Sequence, residues 1–299
     1  MLIETKNTIF ITGPSGFVGK NLLNHFENIY TFSKYKKGDS ININQEVVIH
    51  LAGKAHDLKN ITDPTEYYSV NNDLTRKLFE EFIYSGAKIF IFLSSVKSAA
   101  DQLDIPLTED YIPNPVTHYG KSKLLAEQYI LSKEIPDGKR VYILRPCMIH
   151  GPGNKGNLNL LYKIVSKGLP WPLGAFENKR SFCSIDNLCF IIRELIENDK
   201  IPSGIYNLAD DEPISTNELI NLISVGFGRK PHIFNVPQPL IKFISKLGDV
   251  LRLPLNSERL NKLTENYIVS NNKIINAINK PLPISAKDGI IKTFTSFKY

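Results

Sequence analysis

The chain has 299 residues, of which 42% are hydrophobic and 22% are charged, so its composition is that of a globular protein and excludes a disordered one. The net charge of +6 suits an acidic partner such as a phosphorylated metabolite, a membrane surface or a nucleic acid. The basic residues form no continuous stripe and no recognisable nucleic-acid-binding module is present, so we predict that nucleic acid is not a partner.

Cysteine usage and the lack of long apolar runs predict a cytoplasmic protein. The cysteines are Cys147, Cys183 and Cys189, an odd number without metal-ligand spacing. We therefore predict reduced core cysteines and no metal site. No apolar run reaches the length that spans a bilayer, and the N-terminal segment "MLIETKNTIF" is too short and too acidic for a secretion signal.

In the first half of the chain, short apolar runs alternate with helical patterns. The runs predicted as strands are 8–12, 29–32, 47–52, 89–95 and 141–146. The patterns predicted as helices are 17–27, 71–85 and 118–133. Several runs are apolar on both faces, so the alternation predicts an α/β fold with a Rossmann-like, doubly wound parallel sheet. The segment 33–46 is poorly patterned, which predicts that a full crossover helix is missing there.

The pattern changes after Pro146, where the turn-rich segment 150–156 predicts a domain border. The later predicted elements are helices at 157–167 and 186–198, a strand at 205–209 and a helix capped by Ser215 or Thr216. The predicted division is a dinucleotide-binding domain of residues 1–152, to which 182–200 return, and a smaller C-terminal α/β substrate lobe of residues 153–181 and 201–299.

A glycine-rich segment lies between the first predicted strand and the first predicted helix. "FITGPSGFVGK" (10–20) contains Gly13, Gly16 and Gly19. Glycine permits the tight turn and lets the backbone approach a pyrophosphate, while the helix N-terminus supplies N–H donors and a partial positive charge. In this position the three glycines predict dinucleotide binding, although their spacing is G-x-x-G-x-x-G.

The end of the second predicted strand bears on the choice of cofactor. A dinucleotide fold usually carries an acid about twenty residues after the glycine loop, where it holds the adenosine ribose. Ser33 and Lys34 stand at this position, and Lys36 and Lys37 follow. The missing acid and the nearby lysines favour a 2′-phosphate, and therefore NADP(H) over NAD(H); a solvated lysine loop is the alternative.

"THYGKSK" (117–123) places a tyrosine and a lysine one helical turn apart. Free tyrosine has a pKa of about 10, and a nearby cation favours tyrosinate. Lys123 shares a helix face with Tyr119, so it can lie beside the phenol or reach a ribose between them. At the end of the fourth predicted strand, Ser95 is the predicted second donor, with Ser94 as the alternative. We predict that Tyr119 exchanges a proton with a substrate hydroxyl or carbonyl.

Further segments extend the pattern over nearly the whole chain. They are "HLAG" (50–53), "EYYSVNNDLT" (66–75), "LRP" (144–146), "KGNLNLL" (155–161) and "NKRSFCSIDNL" (178–188). Together with the glycine loop and the tyrosine–lysine pair, they resemble the extended short-chain dehydrogenase/reductase family, specifically its sugar-nucleotide epimerases, dehydratases and ketoreductases.

The resemblance implies roles for individual residues. The implied catalytic residues are Ser95, Tyr119 and Lys123. The implied cofactor-binding residues are Gly13, Ser15, Gly16, Phe17, Val18, Gly19, Ser33, Lys34, Leu51, Ala52, Gly53, Asn71 and Pro146. The implied substrate-binding residues are Ser94, Asn157, Leu158 and Arg180, of which the arginine suits a nucleotide diphosphate.

The resemblance also implies NAD(P)-dependent chemistry at C4 of a UDP-sugar. The sequence departs from galactose-type 4-epimerases because the strand-two acid is absent, "VKSAAD" replaces "VYG" after the serine pair, and Met148 replaces an asparagine. These departures favour reduction of a UDP-linked 4-keto-6-deoxy-N-acetylhexosamine in surface polysaccharide biosynthesis. A 4-epimerase with tightly held NAD is the alternative. A non-catalytic dinucleotide sensor is a third hypothesis, against which the complete Ser–Tyr–Lys set argues.

Two expectations concern assembly. Family members often dimerise through the two helices that here span 71–85 and 118–133, which implies a homodimer. The segment 239–255 mixes Leu, Ile and Phe with Lys and Arg, as interfacial helices do. It predicts either a packing helix of the substrate lobe or a peripheral membrane contact.

Overall fold

The computed structural model describes residues 8–54, 63–154, 156–251 and 255–298. The strands are β1 Thr8–Thr12, β2 Thr31–Lys34, β3 Val47–His50, β4 Ile89–Leu93, β5 Arg140–Pro146, β6 Met148–His150, β7 Phe182–Ser184 and β8 Gly204–Leu208. The α-helices are α1 Phe17–Phe26, α2 Thr65–Tyr68, α3 Leu74–Tyr84, α4 His118–Leu131, α5 Asn157–Ser166, α6 Ile185–Glu197, α7 Thr216–Gly226, α8 Gln238–Leu251, α9 Ser257–Thr264, α10 Asn272–Ile278 and α11 Ala286–Thr295. A π-helical turn at Ser69–Asp73 joins α2 to α3, and 3₁₀ turns lie at Val96–Ser98 and Ser296–Lys298.

A six-stranded parallel sheet organises the first half of the chain, in the order β2-β1-β3-β4-β5-β8. Side chains alternate between its two faces because successive residues of a strand point in opposite directions. Ile9 and Ile11 pack in the core that includes α1 and α6, whereas Phe10 packs in the core that includes α3 and α4. The α/β fold and the doubly wound parallel sheet are therefore confirmed.

The second strand lies two residues later than the sequence predicts. The backbone N–H groups of Ile29 and Tyr30 both donate to the carbonyl of Phe26, so these residues close the last turn of α1 instead of starting β2. The absence of a crossover helix between β2 and β3 is confirmed, since residues 35–46 contain no helix. Ile43 of that segment is buried against the α3 side of the sheet and covers part of the surface that a helix would cover.

A second, smaller core lies around α5, α7 and α11, and it includes Trp171, Phe182 and Phe294. The strands β6 and β7 pair in parallel beside it; neither is predicted from the sequence, because each has only three residues. The helix α6 packs in the main core. The strand β8 also lies in the main sheet, so this sheet includes residues that the predicted boundary assigns to the substrate lobe.

Each cysteine is buried and unpaired. Cys147, Cys183 and Cys189 lie in the main core, where burial raises the pKa of each thiol. The predicted core position of the three cysteines is therefore confirmed. Over the same described ranges, no group of side chains has an arrangement that could hold a metal ion.

Candidate active site

The glycine loop joins β1 to α1 at the carboxyl edge of the sheet. Gly13 has φ +68°, and a Cβ there would lie 2.8 Å from the backbone nitrogen of Ala52. A Cβ on Gly19 would lie 2.3 Å from the carbonyl oxygen of Gly13. Both positions therefore require glycine, because a side chain would push the loop away from β3 or from the helix.

The start of α1 fits the pyrophosphate of a dinucleotide. Gly16 is the N-cap and, without a side chain, leaves the first turn without a side-chain cap. Ser15 and Gly16 are exposed on the loop, while Phe17 and Val18 are partly buried against the main core. Because the helix N-terminus offers N–H donors and a partial positive charge, this loop suits an anionic group.

A buried hydrogen-bond chain fixes the neighbouring end of β3. The Thr12 hydroxyl lies 2.7 Å from Nδ1 of His50, and it accepts from the backbone nitrogen of Ala52 at 3.0 Å. Nε2 of His50 lies 2.8 Å from the Thr75 hydroxyl. Burial, with a smaller effect of Lys123, lowers the pKa of His50 to about 3, so the imidazole is neutral at physiological pH. The histidine thus holds the Leu51–Gly53 segment against the glycine loop.

The end of β2 carries cations and no carboxylate. Ser33 is partly buried and Lys34 is exposed, at the edge where the glycine loop also lies. The following residue, Tyr35, donates its N–H to the carbonyl of Ile11 at 2.9 Å. The end of β2 therefore presents a hydroxyl and an ammonium group, and no carboxylate, beside the glycine loop.

Tyr119 lies in the first turn of α4, whose start is fixed by hydrogen bonds. The hydroxyl of the N-cap residue Thr117 accepts from Gly120 N–H at 3.2 Å and donates to the Asp101 carboxylate at 3.0 Å. Asp101 also accepts from the backbone nitrogens of Val116 and Thr117 at 2.7 and 3.1 Å. These bonds determine where the phenol of Tyr119 projects.

Ser95 and Tyr119 form the predicted donor pair. Desolvation raises the pKa of the Tyr119 phenol, and a hydrogen bond from Ser95 opposes this by lowering it. The Ser95 hydroxyl also accepts from the Lys97 backbone nitrogen at 3.2 Å, which holds its position at the start of the 3₁₀ turn. The net pKa of Tyr119 lies above its usual value of 10.0, so the phenol is protonated at neutral pH.

Lys123 is buried one turn further along α4. Its Nζ donates to the carbonyl of Leu93 at 2.9 Å and lies 4.8 Å from the centre of the Phe92 ring. Burial lowers its pKa to about 8, although Glu127 opposes this shift. A Cβ added to Gly53 would lie 3.0 Å from Nζ of Lys123 and 3.1 Å from Oδ1 of Asn71. These three residues therefore lie close together at the carboxyl edge of the sheet.

Asn71 owes its position to the π-helical turn between α2 and α3. Its Oδ1 accepts from the Lys54 backbone nitrogen at 2.8 Å, and its Nδ2 donates to the Ser122 hydroxyl at 3.0 Å. A π turn adds one residue to a helical turn and frequently marks a functional site. Here it places a fully buried amide between the segment after β3 and the start of α4.

Ser94, the alternative to Ser95, has a different partner. Its hydroxyl donates to the buried carboxylate of Glu127, which Arg145 binds with N–O distances of 3.1, 3.1 and 2.6 Å. Arg145 and Glu127 are almost inaccessible to solvent. The structure therefore places Ser95, and not Ser94, against the tyrosine, while Ser94 completes an ion pair inside the fold.

The predicted substrate-binding residues differ in how accessible their side chains are. Arg180 is 22% exposed; its Nη1 donates to the Lys262 carbonyl at 2.6 Å and its Nη2 lies 3.5 Å from Glu265. The side chain of Leu158 packs in the second core, so only its backbone is available to a nucleotide. Asn157 begins α5, but its side chain lies outside the described part of the structure. Pro146 is the last residue of β5, at the carboxyl edge of the sheet.

Lys97 is a cation of this region that the sequence patterns do not identify. Its Nζ donates to the Asp101 carbonyl at 2.7 Å and lies 4.1 Å from the centre of the Tyr267 ring. Its pKa is lowered by burial first, with Arg180 contributing in the same direction. Its place two residues after Ser95 is the only sequence signal for it. Lys97 and Arg180 are therefore close enough to interact as like charges.

Comparisons with known proteins agree with this geometry. Residues 9–209 match the model of the NAD dependent epimerase/dehydratase family, and the chain belongs to this family. The chain is 32% identical over 269 residues to the UDP-glucose 4-epimerase of Vibrio cholerae, covering 80% of this chain and 82% of that protein. It is 26% identical over 240 residues to the GDP-6-deoxy-D-mannose reductase of Pseudomonas aeruginosa, covering 72% and 79%.

A solved structure shows the same fold. The UDP-N-acetylglucosamine 4-epimerase from Bacillus cereus superposes with a TM-score of 0.76 at 17% identity, over 98% of this chain and 100% of that one. The predicted family is therefore confirmed, and with it an NAD(P)-dependent enzyme of the sugar-nucleotide epimerase and reductase class.

Proposed function

We propose that the protein is an NADPH-dependent 4-ketoreductase that acts on a UDP-linked 4-keto-6-deoxy sugar of the N-acetylhexosamine type in surface polysaccharide biosynthesis. The observation that carries the oxidoreductase chemistry is the hydrogen-bonded pair of Ser95 and Tyr119 at the carboxyl edge of the sheet, with Lys123 buried one turn away. The observation that favours reduction with NADPH is the end of β2, where Ser33 and Lys34 stand in place of an acid.

The residues divide the work of the reaction. A bound nicotinamide cofactor supplies or accepts the hydride at C4. Tyr119 donates a proton to the oxygen on C4, and its raised pKa keeps it protonated for this step at neutral pH. The Ser95 hydroxyl stabilises the negative charge that develops on that oxygen by hydrogen bonding. Lys123 and Asn71, which both lie beside Gly53, are the residues that would hold the nicotinamide ribose.

Two neighbouring cations, Arg180 and Lys97, suit the other end of the substrate. Arg180 offers a planar guanidinium that matches phosphate oxygens, and its ion pair with Glu265 is partly exposed and can be exchanged for a ligand. Lys97 adds a second positive charge near the arginine. Together they support a nucleotide diphosphate as the group that orients the sugar.

A 4-epimerase with tightly bound NAD is the second candidate. The observation that favours it is the 32% identity with the Vibrio cholerae UDP-glucose 4-epimerase, which extends over most of both chains. The same Ser95, Tyr119 and Lys123 serve either direction of hydride transfer. The two candidates differ in whether the cofactor is consumed.

The deciding experiment begins with mass spectrometry of small molecules released from the purified protein. Bound NAD supports the epimerase, whereas NADP or an empty site supports the reductase. A spectrophotometric assay with a UDP-linked 4-keto-6-deoxy-N-acetylhexosamine follows. Stoichiometric NADPH oxidation supports the reductase, and interconversion of a UDP-sugar pair without net cofactor change replaces it with the epimerase.

The cofactor preference can be tested at β2. The wild-type protein is expected to bind NADPH at least about tenfold more tightly than NADH, and Ser33→Asp is expected to reverse that preference. The added carboxylate repels the 2′-phosphate and accepts a hydrogen bond from the ribose 2′-hydroxyl. Isothermal titration of both nucleotides measures the ratio of their dissociation constants.

The control is Thr31→Asp, which makes the same charge change at the exposed opposite end of β2 and is expected to leave the ratio unchanged. An unchanged ratio in Ser33→Asp contradicts this assignment.

We also infer a cytoplasmic homodimer. The helices α3 and α4 are adjacent, and they leave Tyr84, Leu125 and Leu131 exposed by 88%, 44% and 56%. Such apolar side chains support pairing of these two helices with those of a second copy. Light scattering after gel filtration measures the mass, and a monomer at micromolar concentration contradicts the inference.

A further inference from the structure

The helix α8 presents three faces of different character. One face is buried, and it consists of Ile241, Ser245 and Gly248. The contact there is close, since a Cβ on Gly248 would lie 1.9 Å from the carbonyl oxygen of Leu255. This face fixes the helix on the C-terminal lobe and determines which side chains point outward.

The second face is apolar and open to solvent. Its members and their exposed fractions are Leu240 50%, Phe243 66%, Ile244 37%, Leu247 45%, Val250 78% and Leu251 58%. Their spacing of three and four residues places them in one stripe along the helix. Scattered exposed apolar residues are ordinary, whereas a continuous stripe on a helix marks an interaction surface.

The third face is basic. At 100° per residue, Lys242 and Lys246 lie beside the apolar stripe on the side away from the buried face, and both are exposed. The acid of this helix, Asp249, is bound by Ser257: it accepts from the backbone nitrogen at 2.9 Å and from the hydroxyl at 2.6 Å. The outward side of α8 thus combines apolar groups with two lysines and one acid, Asp249, which is hydrogen-bonded to Ser257.

We propose that α8 docks the protein on an anionic bilayer surface, lying parallel to it. The apolar stripe enters the boundary between headgroups and acyl chains, and the two lysines pair with anionic headgroups. A second copy of this chain is a poorer occupant, because two paired α8 helices would bring four lysines together with only the two Asp249 carboxylates, each already hydrogen-bonded to Ser257. Insertion across the bilayer does not arise: none of the described helices is long and apolar enough to cross it.

Flotation with lipid vesicles tests the proposal without any substrate, so its outcome is independent of the proposed reaction. The wild-type protein is expected to float with vesicles containing phosphatidylglycerol and to stay in the dense fraction with pure phosphatidylcholine. Lys242→Gln with Lys246→Gln is expected to lower the partition coefficient about thirtyfold, since each basic residue near such a surface contributes about fivefold. High salt is expected to weaken the wild-type interaction.

A second pair of variants tests the apolar stripe. Phe243→Glu with Leu247→Glu is expected to abolish flotation, and the exposure of both side chains means that the fold is retained, which circular dichroism checks. The matched control, Ile112→Glu with Val225→Glu, makes the same charge change at exposed positions elsewhere and is expected to float like the wild type. The proposal fails if the wild type does not float, or if the control loses flotation as fully as the α8 variant. It also fails if light scattering shows a dimer that only the α8 variant disrupts, since the stripe would then join two copies.

Discussion

Replacing Tyr119 with phenylalanine is expected to lower kcat by about 10²–10⁴-fold, the usual contribution of a positioned proton donor. The substitution removes one hydroxyl and keeps the ring that packs edge-on against Tyr67, at 6.3 Å between centres. The change therefore acts in the transition state, and KM is expected to change little. Steady-state kinetics with the substrate identified above measures both constants.

Replacing Ser95 is expected to change the pH dependence of the reaction rate. Its hydrogen bond lowers the pKa of Tyr119, so Ser95→Ala raises that pKa further. In the oxidation direction the tyrosine acts as a base and must be ionised, so the rate rises with pH through its pKa. The rising limb of the pH profile is therefore expected to move to higher pH in Ser95→Ala. A profile that stays in place contradicts the assignment of Ser95 as the partner of Tyr119.

The control for Tyr119→Phe is Tyr84→Phe. Tyr84 is 88% exposed on α3 in the single chain, and Tyr84→Phe keeps the ring that the proposed dimer would use, so removing its hydroxyl is expected to leave kcat unchanged. Binding of NADPH, followed by fluorescence titration, is expected to be retained in both variants. Wild-type activity in Tyr119→Phe would show that Tyr119 is not the proton donor. The assignment of the chain to its family would be unaffected.

The parts of the fold that were predictable are encoded by local pattern. Buried parallel strands read as apolar runs, and the glycine loop between β1 and α1 is contiguous in sequence, as are Tyr119 and Lys123 within α4. The predicted boundary of β2 was wrong by two residues because Ile29 and Tyr30 are as apolar as strand residues. Only their hydrogen bonds to Phe26 assign them to the end of α1.

Other features of the site depend on contacts between residues far apart in the chain. The choice between Ser94 and Ser95 is made by Glu127, 33 residues from Ser94, whose carboxylate binds one serine and leaves the other to Tyr119. Lys97 is identified as part of the candidate active site only from its contacts, because Tyr267, which is distant in sequence, packs against its ammonium group. The helices α9 to α11 are short, so packing stabilises them: α9 and α11 pack on the second core, and α10 packs on the main core.

Lys123→Met is expected to abolish activity and at the same time to stabilise the ligand-free protein. The ammonium is buried, and the fall of its pKa from 10.5 to about 8 corresponds to a cost of about 3 kcal/mol at neutral pH. Methionine has a similar shape and carries no charge. Losing the hydrogen bond to the Leu93 carbonyl offsets about 1 kcal/mol, so the expected gain is about 2 kcal/mol. Urea unfolding at pH 7 measures it.

The sign of the pH dependence distinguishes this explanation from a general packing effect. Below pH 8 Lys123 is charged in both the folded and the unfolded state, and the folded state carries the full cost of burial. Between about pH 8 and 10.5 the unfolded state binds the extra proton, so the wild-type protein gains stability as the pH rises. The gain in unfolding free energy from Lys123→Met is therefore expected to be largest below pH 8 and to shrink above it.

The control is Lys121→Met, at an exposed position in the same helix, which is expected to change stability little at any pH. A stability difference between Lys123→Met and wild type that stays constant from pH 7 to pH 10 contradicts the buried-charge explanation, and the lysine would then be held for packing alone.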